Sequence, residues 1–141
     1  RDRLITGVAT RWENARKGHK AFGEPVLVVG AGDGGELAVW LLRKSEYASA
    51  FSIMGFVDDD YRKQDAQVAG LPVLGTSKDI PALVEEGDIR LILFSISKIN
   101  PTKRQKILDI CKQTTARVVI IPDLIDILKN PCDDEETGAP A

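Results

Sequence analysis

Histidine and cysteine are scarce in this chain: there is one histidine, His19, and there are two cysteines, Cys111 and Cys132. These fall short of a recognisable four-ligand zinc site, and a lone histidine in a basic stretch excludes a Ser/His/Asp constellation. So few cysteines also read as a reduced, cytosolic setting. Charge of one sign is lacking as well. The 19 Lys and Arg stand against 21 Asp and Glu, a net −2, without the basic excess of a general nucleic-acid binder. Long apolar runs are missing. The longest, Leu37 to Leu42, has six residues, far from the roughly 20 that span a bilayer, and no secretory signal is present. What the 141 residues do hold, 43% of them hydrophobic, suffices for one domain with its own core. The first residue is Arg1 rather than methionine, which reads as a piece of a longer protein with any membrane segment lying elsewhere.

The near balance of charge hides a gradient. Residues 1–20 carry six basic side chains against Asp2 and Glu13, whereas residues 131–141 carry Asp133, Asp134, Glu135 and Glu136 and no base. The tail has almost nothing apolar and reads as disordered or as a linker. At the other end, Leu4, Val8 and Trp12 recur at helical spacing with Ile5 and Ala9 beside them, so residues 1–22 are expected to form a basic amphipathic helix or connector. Its stripe suits packing on its own domain, a homodimer contact or a membrane surface. Packing within the protein, on itself or on a copy, is the reading preferred.

Between these ends, residues 23–130 alternate short apolar runs with helical patterns. Val26 to Val29 is wholly apolar and β-branched-rich, the pattern of a central parallel strand buried on both faces. Glu36 to about Ser45 reads as a helix with Leu37, Ala38, Trp40 and Leu41 on one side. Further strands are expected at Ser52–Val57, at Val73-Leu74, at Leu91–Phe94 and at Arg117–Ile121. Helices are expected from Thr76, Ser77 or Lys78 through Val84, and from Pro101 to about Thr114 with Ile107, Leu108, Ile110 and Cys111 inward; Leu124 to Leu128 reads as a closing turn. Residues 61–70 are polar and read as a loop. Such alternation predicts an α/β fold, a Rossmann-like doubly wound parallel sheet of about five strands.

Gly30-Ala31-Gly32-Asp33-Gly34-Gly35 matches G-x-G-x-x-G. The pattern is weak alone, but here it follows a predicted strand and opens a predicted helix. Gly30 permits the tight turn, Gly32 lets a pyrophosphate approach the backbone, and Gly35 lets helix and strand pack closely. Amides at the helix N-terminus would hold the phosphates. Asp58 follows Gly35 by 23 residues, near the spacing of roughly 20 at which an acid holds a ribose 2′-hydroxyl and disfavours a 2′-phosphate. That favours NAD over NADP. Asp59 and Asp60 stand beside it, and register decides which aspartate points inward. Ser95 and Ser97 follow the Leu91–Phe94 strand and should lie next to the glycine loop. Against the phosphate reading, Asp33 and Glu36 are acids in the first turn of the phosphate-facing helix, able to cap its amides or repel an anion.

Catalytic groups are wanting. A tyrosine with a lysine four residues on is absent, since Phe51 and Asp65 stand in those places after Tyr47 and Tyr61, and there is no G-x-x-x-x-G-K-[ST]. Cys111 reads as core and Cys132 sits among acids that disfavour a thiolate. The chain reads as a nucleotide binder that does not catalyse by itself.

Val26–Leu37 with its glycine loop, then Gly55-Phe56-Val57-Asp58-Asp59-Asp60, then Val68-Ala69-Gly70-Leu71-Pro72-Val73-Leu74-Gly75-Thr76 with Asp79-Ile80, resemble the Rossmann-like domain of capsule-type polysaccharide-biosynthesis proteins. These are membrane-anchored nucleoside-diphosphate-sugar dehydratases and epimerases and related sugar-phosphate transferases. The resemblance covers about residues 24–128. It implies a domain set between transmembrane helices and a separate catalytic domain, on the cytoplasmic side of the inner or plasma membrane. Residues 1–20 would then be the connector at a positive-inside flank, and the acidic tail would lead to the catalytic half. The nucleotide loop carries over onto Gly30, Gly32 and Gly35 and the ribose acid onto Asp58; no catalytic residue carries over. The resemblance leaves open NAD, a nucleotide-sugar or no ligand at all, the last being a regulatory or dimerisation domain.

Overall fold

The computed structural model describes residues 23–44, 46, 48–96 and 99–129, with 124–126 described by backbone alone. The Leu4/Val8/Trp12 stripe, Ser97, Cys132 and the acidic tail lie outside the described residues.

The chain runs β1 (Glu24–Val29), α1 (Asp33–Lys44), β2 (Phe51–Val57), β3 (Gln67–Val68), β4 (Leu71–Gly75), α2 (Ile80–Gly87), β5 (Leu91–Phe94), α3 (Pro101–Lys112), β6 (Arg117–Ile120) and α4 (Leu124–Lys129). Single 3₁₀ turns occupy Ala48–Ala50, Tyr61–Lys63 and Ser77–Asp79. The sheet order is β3-β4-β2-β1-β5-β6. All its pairs are parallel except β3 with β4. The α/β doubly wound fold is therefore as expected. The sheet has six strands rather than about five.

The extra strand is β3, inside the stretch expected to be a loop. Two residues cannot show a period of two, and the hairpin turn carries Ala69 and Gly70, both at positive φ (54° and 79°). Such a turn normally advertises itself by Asn-Gly or Asp-Gly, so Ala-Gly left no readable signal.

Alternation along β1 divides the core. Leu27 and Val29 face one side, with Ile92 and Phe94 of β5, and are covered by Ile80 and Leu83 of α2 and Ile107, Leu108 and Cys111 of α3. Val26 and Val28 face the other, with Leu91, Leu93, Phe56 and Val73, against Ala38 and Val39 of α1. Here the helix rotation differs from the expected one. Gly35, Ala38 and Val39 are buried, whereas Trp40 is 54% and Leu41 45% exposed. The small residues face the sheet because the start of α1 touches the end of β1: a Cβ on Gly35 would overlap the Gly30 carbonyl oxygen. That contact fixes the rotation, and at 100° per residue it turns Trp40 and Leu41 outward.

The register brings the strand ends level. Val29 pairs with Val57 on one side and with Phe94 on the other. The residues that follow these three, Gly30, Asp58 and Ser95, therefore emerge at one edge, where the sheet order reverses about β1.

A candidate nucleotide cleft at the carboxyl edge of the sheet

Gly30 leaves β1 at φ +106° while its amide donates to the Val57 carbonyl at 2.8 Å. That conformation belongs to glycine. Next, the Glu36 amide bonds the Gly32 carbonyl at 3.0 Å. This first helical bond makes Gly32 the N-cap of α1 and leaves the amides of Asp33, Gly34 and Gly35 without intrahelical acceptors. Space above Gly32 is open, with nothing within 4 Å of an added Cβ.

Of the three aspartates after β2, Asp58 faces the glycine loop. Its Oδ2 accepts from the Ala31 amide and its Oδ1 from the Asp60 amide, each at 2.8 Å. Asp59 is instead tied to the turn before α2, accepting from the amide and hydroxyl of Ser77 at 2.7 and 2.9 Å. Asp60 accepts from the Arg62 guanidinium at two oxygens, each at 3.0 Å, and from the Arg62 amide. The Arg62 side-chain bond and then its amide hold the Asp60 carboxyl below the usual range.

Ser95 does adjoin the glycine loop. Its hydroxyl donates toward the Val29 and Gly30 carbonyls at 2.9 and 3.2 Å, tying β5 to the loop, which leaves its oxygen as an acceptor for a ligand. Arg104 Nε donates to the Ile96 carbonyl at 3.0 Å and its guanidinium lies 5.2 Å from the Phe94 ring centroid. These contacts fix the connection from β5 to α3.

These elements enclose a cleft of about 500 Å³, within the range of ligand sites. Gly30, Gly32, Asp33, Gly34, Asp58, Asp59 and Ser95 line it, so seven of the ten residues singled out by sequence meet at one place. Gly35 is buried beneath the loop, Ala31 is buried with its amide on Asp58, and Ser97 lies outside the described residues. Glu36 is exposed and does not line the cleft; Asp33 is exposed and does. Sequence reasoning missed Lys63 and Lys103, the cations of the lining, and the apolar wall of Ile96, Ile99 and Ile107. No motif marks them, because strand order alone assembles them. Among the described residues no group of three or more His, Cys, Asp or Glu could hold a metal ion, and no helix is long and apolar enough to cross a membrane.

A parallel sheet with a glycine turn, an uncapped helix start and a facing carboxylate at its switch point defines a Rossmann-like domain with a nucleotide-type cleft. The chain belongs to the family described as CoA-binding domain, which its residues 2–122 match. It is 29% identical over 102 residues to the probable polysaccharide biosynthesis protein EpsC of Bacillus subtilis (strain 168), and 30% identical over 103 residues to the capsular polysaccharide biosynthesis protein CapD of Staphylococcus aureus. Each match takes in 72% of this chain and 17% of the relative. The chain thus spans about a sixth of the length of these curated relatives, and the resemblance to polysaccharide-biosynthesis proteins holds.

Among solved structures, UDP-D-quinovosamine 4-dehydrogenase from Vibrio fischeri superposes with TM-score 0.66 at 23% identity, over 77% of this chain and 86% of that one. RSP, a Rex-family repressor solved with β-NADH, superposes with TM-score 0.53 at 14% identity, over 82% and 62%. A perosamine N-acetyltransferase variant from Caulobacter crescentus, solved with CoA and GDP-perosamine, gives 0.52 at 23%, over 72% and 42%. These likenesses show the fold.

Proposed function

We propose that this domain binds a ligand containing a nucleoside diphosphate, NAD among them, in the cleft at the carboxyl edge of the sheet. The carrying observation is the junction of the uncapped α1 start, the open space over Gly32 and the Asp58 carboxylate locked to the Ala31 amide. The diphosphate would lie over Gly32 against the free amides of α1. The ribose would meet Asp58, whose carboxylate has lone pairs left beyond its two amide bonds. The second half of the ligand would rest on Ile96, Ile99 and Ile107. Diphosphate chemistry is common to NAD, CoA and nucleotide-sugars, which accords with a family described as CoA-binding, a neighbour solved with β-NADH and another solved with CoA and GDP-perosamine.

On this reading the chain is the nucleotide-binding module of a membrane-anchored polysaccharide-biosynthesis protein acting on nucleotide-sugars. Residues 1–22 form its connector, residues 131–141 form a linker, and the catalytic groups are supplied outside the module. Calorimetric titration with NAD, NADP, CoA and a UDP-sugar tests it. Binding in the micromolar range by one of them is expected, and silence from all four at millimolar concentration would sink the reading.

A second reading, a ligand-free regulatory or dimerisation domain, draws on the exposed Trp40 and Leu41 of α1 and on Asp33 at the cleft mouth. It expects a dimer that forms with rising concentration in light scattering and a glycine loop that stays empty.

A further inference from the structure

The acidic row after β2 looks hostile to any phosphate, yet each of its members is engaged. Asp59 is bound to Ser77, and Asp60 is paired at two points with Arg62. Asp58 accepts the Ala31 and Asp60 amides. The cation left at this wall is Lys63, on the 3₁₀ turn that follows. Its ammonium stands 3.8 Å from Asp58 Oδ2 and 3.3 Å from the Ala31 carbonyl oxygen. Both contacts are long for an ammonium, whose charged hydrogen bonds run to about 2.7–2.9 Å. The side chain is 36% exposed and lines the cleft. Lys63 is therefore loosely held beside the carboxylate that would receive the ribose.

We propose that Lys63 makes this site tolerant of a phosphomonoester on the nucleotide ribose, so that ligands bearing a 2′- or 3′-phosphate enter as readily as those with a free diol. This rests on the nucleotide reading above and adds the residue that sets its specificity. An unopposed carboxylate accepts a diol and repels a phosphate. An ammonium on the same carboxylate removes that repulsion and gives the phosphate a partner. Lysine is a compact charge on a flexible stem, so it serves a phosphate at either ribose position, where a planar guanidinium would favour one geometry. Lys103, the other cation of the lining, arises from α3, after β5, whereas Lys63 follows the same strand as Asp58 and contacts it.

The test compares two matched ligand pairs, NAD with NADP and dephospho-CoA with CoA, by calorimetry at low salt. The native domain, Lys63→Met and Lys63→Arg are titrated, with circular dichroism to verify the fold. In the native domain the members of each pair should bind within about threefold of one another. Lys63→Met should weaken the phosphorylated member about tenfold and the other by less than about threefold, and Lys63→Arg should restore at least one phosphorylated ligand. The proposal is overturned if the native domain already rejects NADP and CoA by more than about tenfold, or if Lys63→Met moves all four ligands alike. Those outcomes leave nucleotide binding standing. Silence from all four overturns both readings.

Discussion

Helices α1 and α3 both start at the carboxyl edge of the sheet, one after β1 and one after β5, and their first turns are finished in opposite ways. At α3, Asn100 Oδ1 accepts from the Thr102 and Lys103 amides at 2.7 and 3.2 Å, and Pro101 has no amide hydrogen to offer. At α1, the N-cap is Gly32, which has no side chain with which to cap, and three amides remain without intrahelical partners. The turn leading into α2 is closed like α3, with Asp79 bound to the Thr76 amide and Asp59 to the Ser77 amide. The difference is the reason the proposed anion is placed at α1. A helix whose donors are consumed by its own chain has only a screened dipole to offer, while α1 presents donors to the cleft. The cost is that α1 lacks a stabilising cap.

The largest break in this comparison should come from Gly35→Ala. Its Cβ would overlap the Gly30 carbonyl, driving α1 off the strand and lowering stability by about 3 kcal/mol, the upper end of overpacking costs. Urea unfolding would register this, together with loss of nucleotide binding. Asp58→Ala comes next. It strands the Ala31 and Asp60 amides, with an expected cost of about 2 kcal/mol and about tenfold weaker NAD binding in calorimetry.

Asn100→Ala probes the other helix. Losing the cap should cost about 1 kcal/mol and leave nucleotide affinity unchanged. A drop in affinity would mean that the α3 start also serves the ligand, and the contrast between the two helices would fail. Asp33→Asn sharpens the comparison in the opposite direction. Removing an acid from the cleft mouth should tighten binding by about threefold while weakening the helix by about 0.5 kcal/mol, a pair of opposite signs that titration and thermal melting read separately.

The smallest effect belongs to Cys111, buried at the far end of α3, where burial pushes the thiol up to about 11. It should resist iodoacetamide at about pH 8 in the folded protein and react once the chain is unfolded. A thiol raised on folding contributes stability that is complete below its unfolded value of 9.0 and is lost as pH rises through about 11.

The strand–glycine loop–helix unit was legible because its determinants lie within a dozen residues. An apolar β-branched run, a turn that only glycine adopts at Gly30 and a helix that must come close at Gly35 are all local constraints of backbone sterics. The strands β2 and β5 and the helix α3 were legible for the same kind of reason, from runs and periods. Helix α1 shows the limit. Its existence follows from pattern, yet which stripe is buried was decided by how α1 seats on the sheet through the Gly35–Gly30 approach, and the large residues Trp40 and Leu41 lost the place their hydrophobicity would have claimed. The hairpin at β3 was silent because two residues and an Ala-Gly turn carry no period and no customary turn signal.

The cleft divides along the same line. Sequence by itself determined that a glycine loop opens a helix after a buried strand and that acids follow the second strand, because those statements need only neighbours along the chain. Tertiary structure decided that Asp58 and not Asp59 bonds the loop, that Ser95 bonds the carbonyls of Val29 and Gly30, and that Lys63 and Lys103, from different elements, both line the cleft. Those facts depend on strand order and register, which bring residues 30, 58, 63, 95 and 103 to one edge. Register is set by how two faces of a sheet fill with side chains from the whole chain, and no local stretch carries that information.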